Sequence, residues 1–182
     1  MRGNAAVSRR ERLVVVALGA FVVVLAVTAA VTAGVRLRGL PPSIPASGAG
    51  SGVVELSPDA ARHPQGGAVR DQLQRHFDSI NQRDYAGWTT TVVDKRAARS
   101  PEPKWRSDYR STQDGTIRID RIDDAQTGAL LVRIRFVSTQ DVADAPDATP
   151  APRLCWLSTL PMEGTPPRIG LTQGDGSVST AC

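Results

Sequence analysis

The sequence predicts an α+β protein in which an N-terminal transmembrane helix and a linker precede three helices packed on a curved antiparallel sheet of about four strands. Three observations lead to this fold class. A long uncharged segment lies near the start, a stretch rich in Gly, Pro and Ser follows it, and beyond residue 68 a helical apolar period gives way to a period of two. Helical patterns followed by a run of strand patterns are typical of α+β domains. A chain of 182 residues has room for one such domain with its appendages.

The first element is the uncharged segment Leu13 to Val35, which contains no Asp, Glu, Lys or Arg. As a helix it is long enough to cross the ~30 Å hydrocarbon core of a bilayer, so the bilayer is its expected partner. Four arginines precede it and two follow shortly after, which predicts a cytoplasmic basic tail over residues 1–12 and a single-pass cell-membrane protein with its C-terminal domain outside. Small residues late in the segment leave cleavage by a signal peptidase, and hence a secreted soluble domain, as the alternative.

The charge distribution excludes nucleic acid as a partner. Residues 1–38 hold six arginines against one glutamate, whereas the other 144 residues hold 16 Lys and Arg against 17 Asp and Glu. The basic pI near 9.7 therefore comes from the flanks of the uncharged segment. A phosphate-binding surface needs its basic residues clustered on the folded domain.

Residues 36–67 are rich in Gly, Pro and Ser and show no apolar period, so we predict a linker there and a domain over 68–182. A first helix runs from residue 68 to about Gln82. Its apolar face consists of Val69, Leu73, Phe77 and Ile80. Asp84 is suited to cap a second helix that runs to about Val93. Ser100-Pro101-Glu102 has the composition of a helix start and predicts a short third helix.

Beyond residue 115 the pattern alternates, which predicts strands at about 116–120, 130–136, 154–160 and 168–172. All the inward positions that we assign in the first two strands are apolar. They are Ile117, Ile119, Leu130, Val132, Ile134 and Phe136. The alternation therefore predicts an interior that contains no carboxylate.

The two cysteines, Cys155 and Cys182, both lie on the predicted outer side of the membrane, where an even count favours a disulfide. Two cysteines and two scattered histidines have no metal-ligand spacing. The chain also has no nucleophile motif and no phosphate-binding loop, so we expect neither a metal nor a cofactor.

The stretch from His76 to Tyr85, HFDSINQRDY, resembles the first-helix signature of nuclear transport factor 2-like domains, in which an apolar helix ends in an Asn-x-x-Asp-Tyr turn. The resemblance implies a cone over residues 68–182, whose sheet wraps a long helix and leaves a cavity. Exported proteins of high-GC Gram-positive bacteria look similar, with one anchor, a linker and this domain. Family members such as ketosteroid isomerases and polyketide cyclases perform acid–base chemistry with an Asp, often aided by Tyr or His, that projects into the cone.

Because the predicted interior lacks such a carboxylate, we expect a noncatalytic module rather than an enzyme. Its role would be to bind an extracytoplasmic protein or a small apolar ligand. An acid–base enzyme of the isomerase or cyclase type is the alternative. The residues expected to line a cavity or an interface are His76, Tyr85, Trp88, Trp105, Tyr109, Phe136 and Trp156.

Overall fold

The computed structural model describes residues 47–125, 128–172 and 176–182. These residues belong to one structural unit, Ile44–Cys182. The predicted basic tail, 1–12, and the predicted transmembrane segment, 13–35, lie outside the described residues. Within those ranges, no helix has both the length and the apolar character that crossing a bilayer requires.

Four helices lead into the sheet. They are α1 (Gly66–Gln82), α2 (Tyr85–Thr91), α3 (Asp94–Arg99) and α4 (Glu102–Asp108). The Asp84 carboxylate accepts a hydrogen bond from the Gly87 backbone N–H at 2.9 Å and so caps α2, as predicted. Helix α3 was not predicted from the sequence, because none of its side chains is fully buried and it therefore has no apolar period.

The sheet has six strands and is mixed rather than antiparallel with about four strands. Its strands are β1 (Glu55–Leu56), β2 (Gln113–Asp124), β3 (Leu130–Thr139), β4 (Arg153–Glu163), β5 (Arg168–Ile169) and β6 (Ser177–Ala181). They are ordered β1-β2-β3-β4-β5, and β6 also pairs with β4. The β1–β2 pair is parallel and all other pairs are antiparallel. The structure is thus α+β, with helices packed on a mixed sheet.

Part of the predicted linker, 36–67, is folded onto the domain. Strand β1 pairs with β2, and Val54 and Ala60 are buried in the core. The Gln74 side chain of α1 accepts a hydrogen bond from the Val54 backbone N–H at 2.8 Å. The sequence pattern missed this segment because a two-residue strand and isolated buried residues produce no period.

The core lies between α1 and the inner face of the sheet. Five of the six predicted inward positions on β2 and β3 are buried, and the sixth, Phe136, is partly buried beside a cavity. The apolar face predicted for the first helix is likewise buried. The structure confirms the apolar faces of both elements.

Cys155 and Cys182 form the predicted disulfide, with their Cα atoms 5.6 Å apart. The bond joins the last residue of the chain to the central part of the sheet. Because it closes a loop between residues 27 apart in sequence, it restricts the unfolded chain.

We expect the double variant Cys155→Ser/Cys182→Ser to lose about 3 kcal/mol of the free energy of unfolding, because the closed loop no longer lowers the entropy of the unfolded chain. Urea unfolding of the full chain, followed by far-ultraviolet circular dichroism, measures this loss. Reducing agent should shift the wild-type transition by the same amount and leave the variant unchanged. Equal stabilities of the oxidised wild type and the variant would contradict the prediction.

Candidate functional site

A cavity of about 300 Å³ lies between α1, the C-terminal end of α4 and the inner face of the sheet. Its walls combine apolar and aromatic side chains with a comparable number of polar and charged ones. The apolar part includes Phe77, Ile80, Ile134, Phe136, Trp156, Leu160 and Ile169. The polar part includes His76, Arg96, Tyr109, Asp114, Ser138 and Gln140. A cavity whose lining surface is more apolar than polar, with polar groups at defined positions, is typical of small-molecule sites.

Four of the seven side chains expected at a cavity or interface line this cavity, namely His76, Tyr109, Phe136 and Trp156. Phe136 and Trp156 are opposite each other on β3 and β4, and their rings stack with centroids 5.8 Å apart. The Trp156 indole N–H donates to the Ser138 hydroxyl at 2.7 Å, which fixes the indole in the wall.

The other three, Tyr85, Trp88 and Trp105, lie elsewhere and do not line the cavity. They form an aromatic cluster that joins α2 to α4, with neighbouring ring centroids 5.6–5.7 Å apart. Trp88 and Trp105 are fully buried in the hydrophobic core. These three residues pack the helices together.

The prediction of an interior without a carboxylate is wrong, because Asp114 is only 6% exposed and lines the cavity. Alternation back from Ile117 and Ile119 would have pointed Asp114 outward. A β-bulge between Gly115 and Arg118 shifts the phase of the strand by one residue. Thr116 lies within this bulge and has a left-handed backbone conformation, with φ of 50°. Asp114 therefore faces the same side as Ile117.

Two contacts hold Asp114 in this orientation. The Asn81 side-chain amide of α1 donates to the Asp114 backbone carbonyl at 2.9 Å and accepts from its N–H at 2.8 Å. On the opposite side of the strand, a Cβ at Gly115 would lie 2.7 Å from the carbonyl oxygens of Ala49 and Gly50. Position 115 therefore tolerates no side chain, and the neighbouring residue 114 points toward the cavity.

Burial raises the pKa of Asp114 to about 7, although the nearby Arg83 charge lowers it in part. No described residue makes a hydrogen bond to its carboxyl group. Burial also raises the pKa of Tyr109 to about 12, where Arg96 acts to lower it and Asp114 to raise it further. Near neutral pH the phenol is therefore protonated, while Asp114 populates both its protonated and its ionised form.

His76 is neutral in the folded protein, because burial, together with the charge of Arg96, lowers its pKa to about 3. Its Nδ1 lies 2.8 Å from the Thr91 hydroxyl oxygen, and that hydroxyl donates to the Trp88 carbonyl at 2.7 Å. Both contacts are hydrogen bonds only if Nδ1 carries the imidazole proton. Nε2 is then an acceptor, and nothing in the described part of the chain donates to it.

Two of these cavity groups, Asp114 and Arg96, were not identified from the sequence. Among the described residues, no group of three or more His, Cys, Asp or Glu side chains is arranged to hold a metal ion. Comparisons with protein-family models, with curated proteins and with solved structures found no match to this chain. The resemblance to nuclear transport factor 2-like domains stays a prediction, and function is inferred from the cavity.

The raised pKa of Asp114 predicts a pH-dependent stability. Because the folded pKa, about 7, exceeds the ordinary value of 3.8, the folded state binds more protons than the unfolded chain between these values. Asp114 therefore lowers the free energy of unfolding as pH rises from about 4 to about 7. Asp114→Asn cannot ionise, so its stability relative to wild type should rise across this window by on the order of 4 kcal/mol and then level off.

Urea unfolding of both proteins at a series of pH values measures this difference, and the opposite effect of His76 cancels because both proteins contain it. Asp147→Asn, which removes an exposed carboxylate, is the control for the loss of one negative charge. A difference between Asp114→Asn and the wild type that does not change with pH would contradict the assignment.

Proposed function

We propose that this protein is a membrane-anchored, extracytoplasmic binding module whose cavity takes a small, mainly apolar ligand. The anchor in this proposal is Leu13 to Val35. The disulfide between Cys155 and Cys182 supports an oxidising compartment for the domain. The single observation that carries the ligand role is the cavity itself, with its volume of about 300 Å³ and a lining surface that is more apolar than polar.

The protonation states of two of the polar groups, His76 and Tyr109, favour binding over catalysis. With a pKa near 3 for His76 and near 12 for Tyr109, neither group exchanges its proton readily near neutral pH. Both present fixed hydrogen-bonding groups instead, an imidazole acceptor and a phenol. Such groups orient a ligand within an apolar pocket.

The stacked wall provides a local reporter of ligand binding. Trp156 lines the cavity, whereas Trp88 and Trp105 lie in the helical aromatic cluster. A bromine atom quenches indole fluorescence only at short range, so a neutral brominated alcohol such as ω-bromoundecanol reports occupancy of the cavity. The full chain is reconstituted in nanodiscs, and empty nanodiscs correct for partitioning of the probe into lipid.

We expect saturable quenching in the wild type and about ten-fold weaker binding in Ser177→Phe. Ser177 lines the cavity at the exposed strand β6, so a phenyl ring there competes with the ligand for space. Thr180→Phe, on the opposite face of the same strand, should bind as the wild type does. Trp156→Phe should abolish the saturable component. Quenching that never saturates, or that Ser177→Phe leaves unchanged, would contradict a ligand cavity.

An acid–base enzyme is the second candidate, and the position of Asp114 favours it. A cavity carboxyl with a pKa near 7 is suited to abstract and return a proton at neutral pH. In an isomerisation of a β,γ-unsaturated ketone, the carboxylate would take the proton from the α carbon and, as the acid, deliver it to the γ carbon. The Tyr109 phenol would donate a hydrogen bond to the enolate oxygen.

This candidate predicts that the wild type converts a cyclic β,γ-unsaturated ketone to its conjugated isomer, and that Asp114→Asn lowers the rate by roughly 10²–10⁴-fold. Ultraviolet absorbance of the conjugated product measures the rate, and Asp147→Asn controls for the loss of one negative charge. A wild-type rate equal to that of buffer, or to that of Asp114→Asn, would eliminate the candidate.

A further inference from the structure

One cation of the cavity, Arg96, has no anionic partner among the described residues. Arg96 lies on α3, lines the cavity and is partly buried. Its guanidinium donates to the Gly170 backbone carbonyl at 3.1 Å. No carboxylate among the described residues lies within salt-bridge distance of it. A partly buried charge without a counter-ion is costly, and a bound anion would offset that cost.

Two of the acids in the cavity wall differ from Arg96 in this respect, whereas Asp114 is only partly ionised near neutral pH. Asp144 forms an ion pair with Arg110, and Asp108 forms one with Lys104. Each of these acids is therefore compensated by a cation outside the set of cavity-lining residues. Arg96 is the cavity-lining cation without such a partner in the described part of the chain.

Arg96 lines the same cavity as two other polar residues, His76 and Tyr109. Its positive charge acts to lower the pKa of both of them. Both rings are uncharged at neutral pH, so neither neutralises the guanidinium. This part of the cavity therefore combines the guanidinium charge and the partly ionised Asp114 carboxyl with a phenol hydroxyl that can donate to a ligand oxygen.

Building on the proposed ligand cavity, we propose that its ligand is an amphipathic monocarboxylate, whose carboxylate pairs with Arg96 while its apolar body lies against the stacked rings of Phe136 and Trp156. A guanidinium matches a carboxylate through two parallel N–H···O bonds. One NH group of Arg96 is already used by Gly170, and four N–H donors remain in a group that has five.

The charge of the remaining wall argues against a dianionic head group such as a phosphate monoester. Asp108, Asp114 and Asp144 all line the cavity, and only Arg96 supplies uncompensated positive charge. A second negative charge on the ligand would find no partner there and would be repelled by these carboxylates.

The test compares ω-bromoundecanoate with ω-bromoundecanol, which have the same apolar body and differ in the head group. Quenching of Trp156 in the full chain, reconstituted and corrected as above, gives the affinity of each. We expect the carboxylate to bind the wild type about ten-fold or more tightly than the alcohol. Arg96→Gln should remove this preference while leaving the affinity for the alcohol unchanged.

Arg99→Gln is the matched control, because Arg99 is an exposed arginine on the same short helix and does not line the cavity. It should keep the full preference for the carboxylate. Arg96→Lys keeps the charge without the paired donors and should retain part of the preference. Circular dichroism establishes that each variant is folded. If Arg96→Gln fails to fold, the wild-type preference and the partial loss in Arg96→Lys still test the proposal.

Failure of this inference is distinguishable from failure of the ligand cavity. If both probes bind equally and Ser177→Phe weakens both, the cavity stands and the role of Arg96 is overturned. The same conclusion follows if Arg96→Gln keeps the preference for the carboxylate. If neither probe gives saturable quenching, the ligand cavity itself is overturned, and the carboxylate proposal with it.

Discussion

The bulge at Thr116 turns the Asp114 carboxyl group into the cavity, and two segments of the chain hold that bulge in place. The Thr116 backbone N–H donates to the Ser51 carbonyl at 2.7 Å, and its hydroxyl donates to the Ala49 carbonyl at 2.7 Å. On the helical side, the Asn81 amide binds both backbone polar groups of Asp114. The left-handed conformation of Thr116 is unfavourable for a β-branched residue, and these hydrogen bonds offset its cost.

Hydrogen bonds also explain how polar groups are accommodated in an otherwise apolar interior. Two of them are held by other buried side chains, His76 by Thr91 and Trp156 by Ser138. Burial then keeps His76 and Tyr109 uncharged and brings Asp114 close to half-protonation at neutral pH. Only Arg96 retains a full charge that no described carboxylate offsets. The uncompensated charge of Arg96 therefore sets the chemistry of the cavity, because burial keeps His76 and Tyr109 uncharged and leaves Asp114 partly protonated.

Much of the fold could be predicted because its long elements are amphipathic. Helix α1 buries Leu73, Phe77 and Ile80 at helical spacing, and strand β3 alternates through Val132 and Ile134. Such patterns depend only on the local period and on one buried face. Helix α3 and strand β1 lack that signal: α3 buries no side chain fully, and β1 is two residues long. Their positions depend on contacts with distant parts of the chain.

The sequence by itself determined the apolar faces of α1 and β3, the cap of α2 and the pairing of the two cysteines, because each depends on residue type and local spacing. The tertiary structure alone decided that Asp114 points inward and that Arg96 reaches the cavity. A bulge inverts the side-chain phase of a strand without leaving a periodic signal, and Gly115 was its only local trace. Arg96 and Gly170 are 74 residues apart, so only folding brings them into contact. Local patterns indicate which face of a helix or strand is buried. The charge of a cavity depends instead on which helices and strands the tertiary structure brings together.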